Sequence, residues 1–273
     1  MEILRKVRLE CRRRNLSPRT EETYCFCIKK FLLQINKEEF QVTKKDVTNY
    51  LNYITEKNKS GSTINVYFNA IKFMLEDVMG KKLIWKKKFS KTPKKLPIFL
   101  TKDEVINLIN NIPNEKHKLA IELLYGAGLR VSELLNLKIK DFQLESNYGW
   151  VRNGKGKKDR LFIIPFKLKN KIKEQIKNKS EEVYLISRKD NKQLSRMTIQ
   201  AIIKKAKMKA KINKKIHPHT LRHSFATHLI QNGYDVNSVQ SLLGHNSSQT
   251  TMIYIHMASP NLINVKSPLD SIE

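Results

Sequence analysis

The chain is 273 residues long, enough to bury a full core in one large domain or two smaller ones. With 53 Lys and Arg against 25 Asp and Glu, its formal charge of +28 points to a polyanionic partner. No run of 18 apolar residues exists to span a membrane, the N-terminal MEILRKVRLECRRR lacks an apolar signal core, and Cys11, Cys25 and Cys27 are too few and too clustered for a disulfide framework, so a cytoplasmic protein with reduced thiols is expected.

Residues 1–80 read as helices only. A first helix over 4–11 ends in the basic run Arg12-Arg13-Arg14. Ser17-Pro18 is a good N-cap and first-turn pair, and behind it Tyr24, Ile28, Phe31, Leu32 and Ile35 form a helical stripe. Thr43 with Asp46 opens a third helix bearing Val47, Tyr50, Leu51 and Ile54. Ser62 is expected to cap a fourth, with Ile64, Phe68, Ile71, Met74 and Val78 at helical spacing and Gly80 as its stop. Four helices of this size can form an independent bundle, whose aromatic residues read as core rather than as platforms for bases. Cys25-Phe26-Cys27 is too tight for a zinc knuckle.

Residues 81–97 mark a domain boundary, because eight lysines, no acid and two prolines favour an extended basic linker over a helix. Lys86, Lys87 and Lys88 are its candidates for phosphate contact. A second domain is expected over 98–273. Thr101 and Glu104 form a capping box that opens a helix with Val105, Leu108, Ile109 and Ile112 inward. The next helix, 116–125, breaks at Gly126-Ala127-Gly128; Arg130 then starts another, with Glu133 one turn on. By itself that i, i+3 pair reads as an ordinary surface interaction.

Residues 148–152 and 160–165 are strand-like and flank Asn153-Gly154-Lys155-Gly156-Lys157-Lys158-Asp159, a tip rich in turn residues. The GKGKKD stretch lacks the P-loop spacing and precedes a strand, which argues against nucleotide binding. A helix is expected over 168–176 and a short strand over 183–187. Ser195 caps a helix with Ile199, Ile202, Ile203 and Ala206 inward. Its outer face carries Lys204, Lys205 and Lys207, a basic stripe suited to lying along phosphates with salt-sensitive affinity.

The densest chemistry lies in HPHTLRHSFATHL, residues 217–229, and LLGHNSSQTTMIY, residues 242–254. His219 and Arg222 share a helical face, while Leu221, Phe225 and Leu229 supply the buried stripe and Gly233 the stop. A short second helix ends at Gly244, so His245 sits at a corner, with Tyr254 nine residues later. Arginine, histidine and tyrosine in this pattern suit attack on a phosphodiester by a tyrosine hydroxyl. His219 and His223 stand at i, i+4, but with Arg222 between them and no HE pair they make a poor zinc site. His223, His228 and His256 read as packing or surface residues.

HxxR, then LGH, then a tyrosine, preceded by GAGLRVSELLNL at 126–137 and GKGKKDRLFIIP at 154–165, resembles the tyrosine recombinase (phage integrase) family, and the wording is most similar to its Xer subgroup. The resemblance implies a mainly α fold with a small antiparallel sheet, in which an N-terminal helical core-binding domain and a catalytic domain clamp duplex DNA. It implies that Tyr254 attacks a DNA phosphate, leaving a covalent 3′-phosphotyrosyl enzyme and a free 5′ hydroxyl. Arg130 and Arg222 would clamp the phosphate oxygens, and His245 would donate to the same phosphate. His219 would accept the tyrosine proton or position the phosphate, and Glu133 would hold the site by hydrogen bonding. Lys155 would protonate the leaving oxygen, with Lys157 and Lys158 as alternatives. Neither metal nor ATP is expected, since the phosphotyrosyl link conserves the bond energy. The family assembles as a tetramer on two specific DNA sites, with the tail beyond the tyrosine docked on a neighbour; here Leu262, Ile263 and Val265 are available for that. Chromosome dimer resolution, with a second recombinase or a DNA-translocating motor as further partners, is the Xer expectation. An integrase of a mobile element, a type IB topoisomerase and a DNA-binding protein without catalysis are the alternatives.

Overall fold

The computed structural model describes residues 2–81, 98–152, 154, 159–188, 190–244 and 267–270. The chain divides into two compact units, Met1–Lys95 and Leu96–Glu273. Together they give the mainly helical fold with one small antiparallel sheet that the sequence predicts. Among the described residues, no helix is long and apolar enough to cross a membrane.

The first unit is a helical bundle. Helix α1 (Glu2–Arg13) buries Ile3, Val7 and Cys11 at i, i+4, i+8. Helix α2 (Pro18–Ile35) starts where the Ser17 hydroxyl accepts the Thr20 N–H, with Pro18 in the first turn. Glu21, buried in that turn, accepts from Arg8 and Arg12 at 3.2 Å each, so part of the basic run ties α1 to α2. Helix α3 (Lys44–Glu56) opens on the Thr43–Asp46 capping box and buries Val47, Tyr50, Leu51 and Ile54. The rings of Phe31, Tyr50 and Tyr67 meet at 5.1 and 5.8 Å between centroids, inside the bundle. Cys11, Cys25 and Cys27 are free thiols in the same core, where burial pushes Cys11 and Cys27 up to about 11.

Two expectations change in helix α4 (Gly61–Lys72). Its cap is Ser60, whose hydroxyl accepts the Thr63 N–H; Ser62 sits one residue inside the helix and hydrogen-bonds Ser60. The helix then widens into π turns over Phe73–Val78, with Met79 N donating to Met74 O. In these wider turns the consecutive side chains Phe73, Met74 and Leu75 are all buried. Gly80, at φ +68°, ends it.

In the second unit helix α5 (Lys102–Asn110) begins at the Thr101–Glu104 capping box. Helix α6 (Glu115–Gly126) is the central rod: every residue from Leu119 to Gly126 is buried. Helix α7 (Val131–Asn136) follows the glycine break, then strands β1 (Phe142–Gln143), β2 (Tyr148–Val151) and β3 (Arg160–Ile163) form the sheet in that order. Phe142 pairs with Gly149 and Trp150 with Leu161. The expected strand over 183–187 is instead two isolated bridges, Lys138 to Tyr184 and Ser187 to Gln193. Its ends pair with different partners, so no continuous ladder forms.

Helix α8 (Lys169–Ile176) precedes α9 (Arg196–Lys209), capped by Ser195 and buried through Ile199, Ile203 and Ala206. Helix α10 (Pro218–Gln231) packs on α6, and the Tyr125 hydroxyl meets His228 Nδ1 at 2.8 Å in the core. Tyr234 N donates to Leu229 O and Gly233 N to Ile230 O, a Schellman stop around Gly233 at φ +89°. Helix α11 (Val236–Leu243) ends at Gly244, φ +60°. Residues 267–270 pack on this same unit: Ser267 Oγ donates to Gly126 O, Asp270 accepts from Phe166 N and Lys167 N, and Leu269 is buried. This short stretch therefore contacts its own unit, while Leu262, Ile263 and Val265 lie outside the described residues.

The position of the cap is testable. Ser60→Ala should destabilise the protein by about 1 kcal/mol, the usual cost of a lost N-cap, while Ser62→Ala should cost less than about 0.5 kcal/mol. Urea unfolding followed by circular dichroism reads both, and the reverse order would return the cap to Ser62.

Candidate active site

The site forms where α7, β3, α10 and the end of α11 converge on one carboxylate. Arg130, at the N-cap of α7, donates its backbone N–H to Glu133 Oε2 at 2.8 Å and Nη1 to Oε1 at 2.5 Å. Arg160, at the start of β3, donates Nη2 to Oε2 at 2.6 Å. Arg222 brings Nη1 to within 3.6 Å of Oε2 from the first turns of α10. The Glu133 side chain is only 3% exposed, so its pair with Arg130 is not the surface interaction that its spacing alone suggests.

Each guanidinium also reaches a different carbonyl at the end of α11. Arg160 Nη1 donates to Leu242 O at 2.7 Å, Arg222 Nη2 to Leu243 O, and Arg130 Nη2 to Gly244 O at 3.2 Å. The last carbonyls of a helix have no intrahelical partner and carry the negative end of its dipole, so cations are favoured there. Arg222 is held further by Gly128 O at 2.5 Å. A Cβ at Gly128 would stand 2.5 Å from the Phe225 ring, and the φ of +58° is a second reason for glycine. The break after α6 thus aims a carbonyl at Arg222 while letting α10 approach.

Burial works to raise the Glu133 carboxyl, but Arg160 and then Arg130 outweigh it and hold the group at about 2. Burial, then the charges of Arg160 and Arg130, pull the Arg222 guanidinium down to about 9. His219, in the first turn of α10, is lowered by partial burial, then by His217 and Arg222, which favours the neutral ring at pH 7.

Of the residues singled out in the sequence, Arg130, Glu133 and Arg222 come together here, and His219 lies on the helix that carries Arg222. Lys204 and Lys205 are exposed on α9, and Lys207 is half-buried. Lys155, Lys157, Lys158, His245 and Tyr254, together with Lys86, Lys87 and Lys88, lie outside the described residues. His228 is a buried packing residue and His223 is exposed. Among the described residues, no three His, Cys, Asp or Glu side chains group as metal ligands would. Arg160 was not anticipated as part of this cluster. Its signal is an arginine in register with Phe162 on the inward face of an apolar strand.

The depressed Glu133 carboxyl stabilises the fold above its ordinary pKa of 4.5, and that contribution disappears as pH falls toward about 2. Glu133→Gln should therefore lower stability at pH 7 by on the order of 3 kcal/mol and flatten the loss between pH 4.5 and 2. Melting temperature against pH measures this, and parallel wild-type and variant curves would refute it.

Residues 98–260 match the phage integrase family, and residues 3–85 match the phage integrase N-terminal SAM-like domain. The tyrosine recombinase XerA of Pyrococcus furiosus is 38% identical over 252 residues, covering 90% of this chain and 86% of that protein. A crystal structure of XerA recombinase is 28% identical, covers 95% of this chain and 98% of that one, and superposes with a TM-score of 0.52. The XerH site-specific recombinase, bound to a palindromic difH substrate in a post-cleavage complex, is 25% identical with a TM-score of 0.68, over 91% of this chain and 79% of that one. With its three arginines gathered on one buried carboxylate, this chain belongs to the phage integrase family and is a tyrosine recombinase, an enzyme that breaks and rejoins DNA.

Proposed function

We propose that this recombinase acts at a specific chromosomal site in the manner of Xer proteins, exchanging strands between two duplexes to resolve chromosome dimers. The Xer role is supported by the likeness to XerA, spread over nine-tenths of this chain. The chemistry rests on one observation: the arginines expected to face the phosphate are already fixed on Glu133 and on the end of α11, immediately before His245.

In this reading Tyr254 attacks the scissile phosphate and becomes linked to its 3′ side. Negative charge grows on the non-bridging oxygens, where Arg130 and Arg222 supply charge-assisted donors that need little reorganisation, and His245 adds a third. His219, favoured as the neutral ring, accepts the tyrosine proton or positions the phosphate. Lys155 protonates the departing 5′ oxygen. Attack by another strand's 5′ hydroxyl then releases Tyr254 and restores a phosphodiester, so the cycle needs neither metal nor ATP. Residues 1–80 and the catalytic unit, joined by the lysines of 81–97, form a clamp on duplex DNA. The lysines Lys86, Lys87, Lys88, Lys204, Lys205 and Lys207 contribute phosphate contacts, and four subunits assemble on two sites, with a second recombinase or a DNA-translocating motor as candidate partners.

A nicked duplex carrying the host's candidate chromosomal site, incubated without metal or ATP, should give a protease-sensitive covalent adduct on a denaturing gel. Tyr254→Phe should abolish the adduct while binding the same DNA with an unchanged Kd; an adduct formed by that variant removes Tyr254 from its role. Lys155→Ala should cleave at least about 100-fold more slowly, and a substrate with a 5′-bridging sulfur, whose thiolate leaves without a proton, should restore its rate. Rescue of Lys157→Ala or Lys158→Ala instead would move the acid along the hairpin. Exchange confined to the ends of a mobile element would identify an integrase, and relaxed circles without exchange a topoisomerase.

A further inference from the structure

Arg160 makes more bonds at the site than either arginine expected to face the phosphate. Its guanidinium reaches Glu133 on one side and the Leu242 and Leu161 carbonyls on the other, and the residue is only 6% exposed. Its stem packs against the α11 terminus, since a Cβ on Gly244 would lie 2.8 Å from Arg160 Cδ. One planar fork therefore spans strand β3, the carboxylate that orients Arg130, and the corner preceding His245.

This arrangement leaves Arg160 with little to offer a phosphate. Nη2 is on Glu133, and Nη1 is shared by two carbonyls. Arg130, in contrast, is half-buried and sends its other nitrogen to Gly244 O at the longer 3.2 Å. If Arg160 were absent, Glu133 would keep the Arg130 backbone N–H and the Arg130 and Arg222 guanidiniums, and Leu242 O would lose the Arg160 donor. Glu133 would then be held from the Arg130 side alone at short range, and the Arg130 guanidinium could shift with it.

We propose that Arg160 is a positioning residue for DNA cleavage, holding Glu133 and the end of α11 so that Arg130 meets the scissile phosphate at the correct distance. The proposal rests on the reading of Arg130 as a phosphate clamp. A displacement of about 1 Å at such a group costs on the order of 100-fold in rate. Lysine cannot replace the fork, because a single ammonium does not span the carboxylate and the carbonyls in one plane.

The test is single-turnover cleavage of the nicked duplex at saturating protein, with Kd and melting temperature measured alongside. Arg160→Met should cleave about 100-fold more slowly than wild type, with Kd changed less than about threefold, and Arg160→Lys should recover only part of the rate. The discriminating substrate is a stereopure methylphosphonate, which replaces one non-bridging oxygen and its charge with a methyl group. The isomer lacking the oxygen that Arg130 faces should bring Arg160→Met to within a fewfold of wild type, as it should Arg130→Ala. Wild-type rates in both Arg160 variants, or an equal defect on phosphate and both isomers, would overturn the proposal. If Arg160→Met does not fold, the same comparison in Arg160→Lys decides. If Arg130→Ala is rescued and the Arg160 variants are not, this proposal alone fails. If Arg130→Ala is not rescued either, the clamp reading itself is at fault.

Discussion

The catalytic unit depends on one buried carboxylate. Three guanidiniums brought together out of water would repel one another, and burying any of them unpaired would be costly. Glu133 allows Arg130, Arg160 and Arg222 to coexist, since each lies within ion-pair distance of its oxygens. One carboxylate against three arginines leaves the centre with two positive charges in excess, partly offset by the carbonyl end of α11. A site in this state favours an anion strongly, and its donors are oriented before the anion arrives. Such preorganisation is the main source of acceleration where charge grows on a phosphate.

The scaffold around that centre is built to hold helix ends close together. Helix α6 is buried along its last two turns, and Gly128 brings α10 and α11 onto the chain that follows it. The buried Tyr125–His228 hydrogen bond pins α10 to α6, and Ser224 holds Leu100 N at 2.9 Å. These contacts fix the axis from which Arg222 projects. The N-terminal bundle has its own core of aliphatic, aromatic and cysteine side chains, distinct from the core of the catalytic unit.

The large positive charge is not one undivided binding surface. Several basic groups are engaged in internal pairs: Arg14 with Asp77, Lys171 with the buried Glu122, and Lys214 with Glu104 and the Phe99 carbonyl. Exposed pairs of this kind contribute little to stability, but they consume charge that composition alone would credit to a polyanion. Lys204 and Lys205 point outward from α9, on the face opposite Ile199 and Ile203.

What the sequence determined by itself was whatever is encoded within about one helical turn. The caps at Ser17, Thr43, Thr101 and Ser195, the stops at Gly80, Gly233 and Gly244, and the buried stripes of α3 and α10 all follow from short-range hydrogen bonding and 3.6-residue periodicity. The ordered motifs added the family. Where two serines compete for one cap, the local signal is ambiguous, and the structure chose Ser60 over Ser62. Tertiary structure alone decided the rest. The π turns that carry Phe73, Met74 and Leu75 are not encoded in a 3.6-residue pattern, and the failure of 183–187 to form a strand depends on partners elsewhere in the chain. Residues 267–270 return to Gly126 across 141 positions of sequence. An arginine on the inward face of β3 marks Arg160 locally, but it meets Glu133 across 27 positions and Leu242 across 82, so no window along the chain could have revealed the partners with which it closes the arginine cluster.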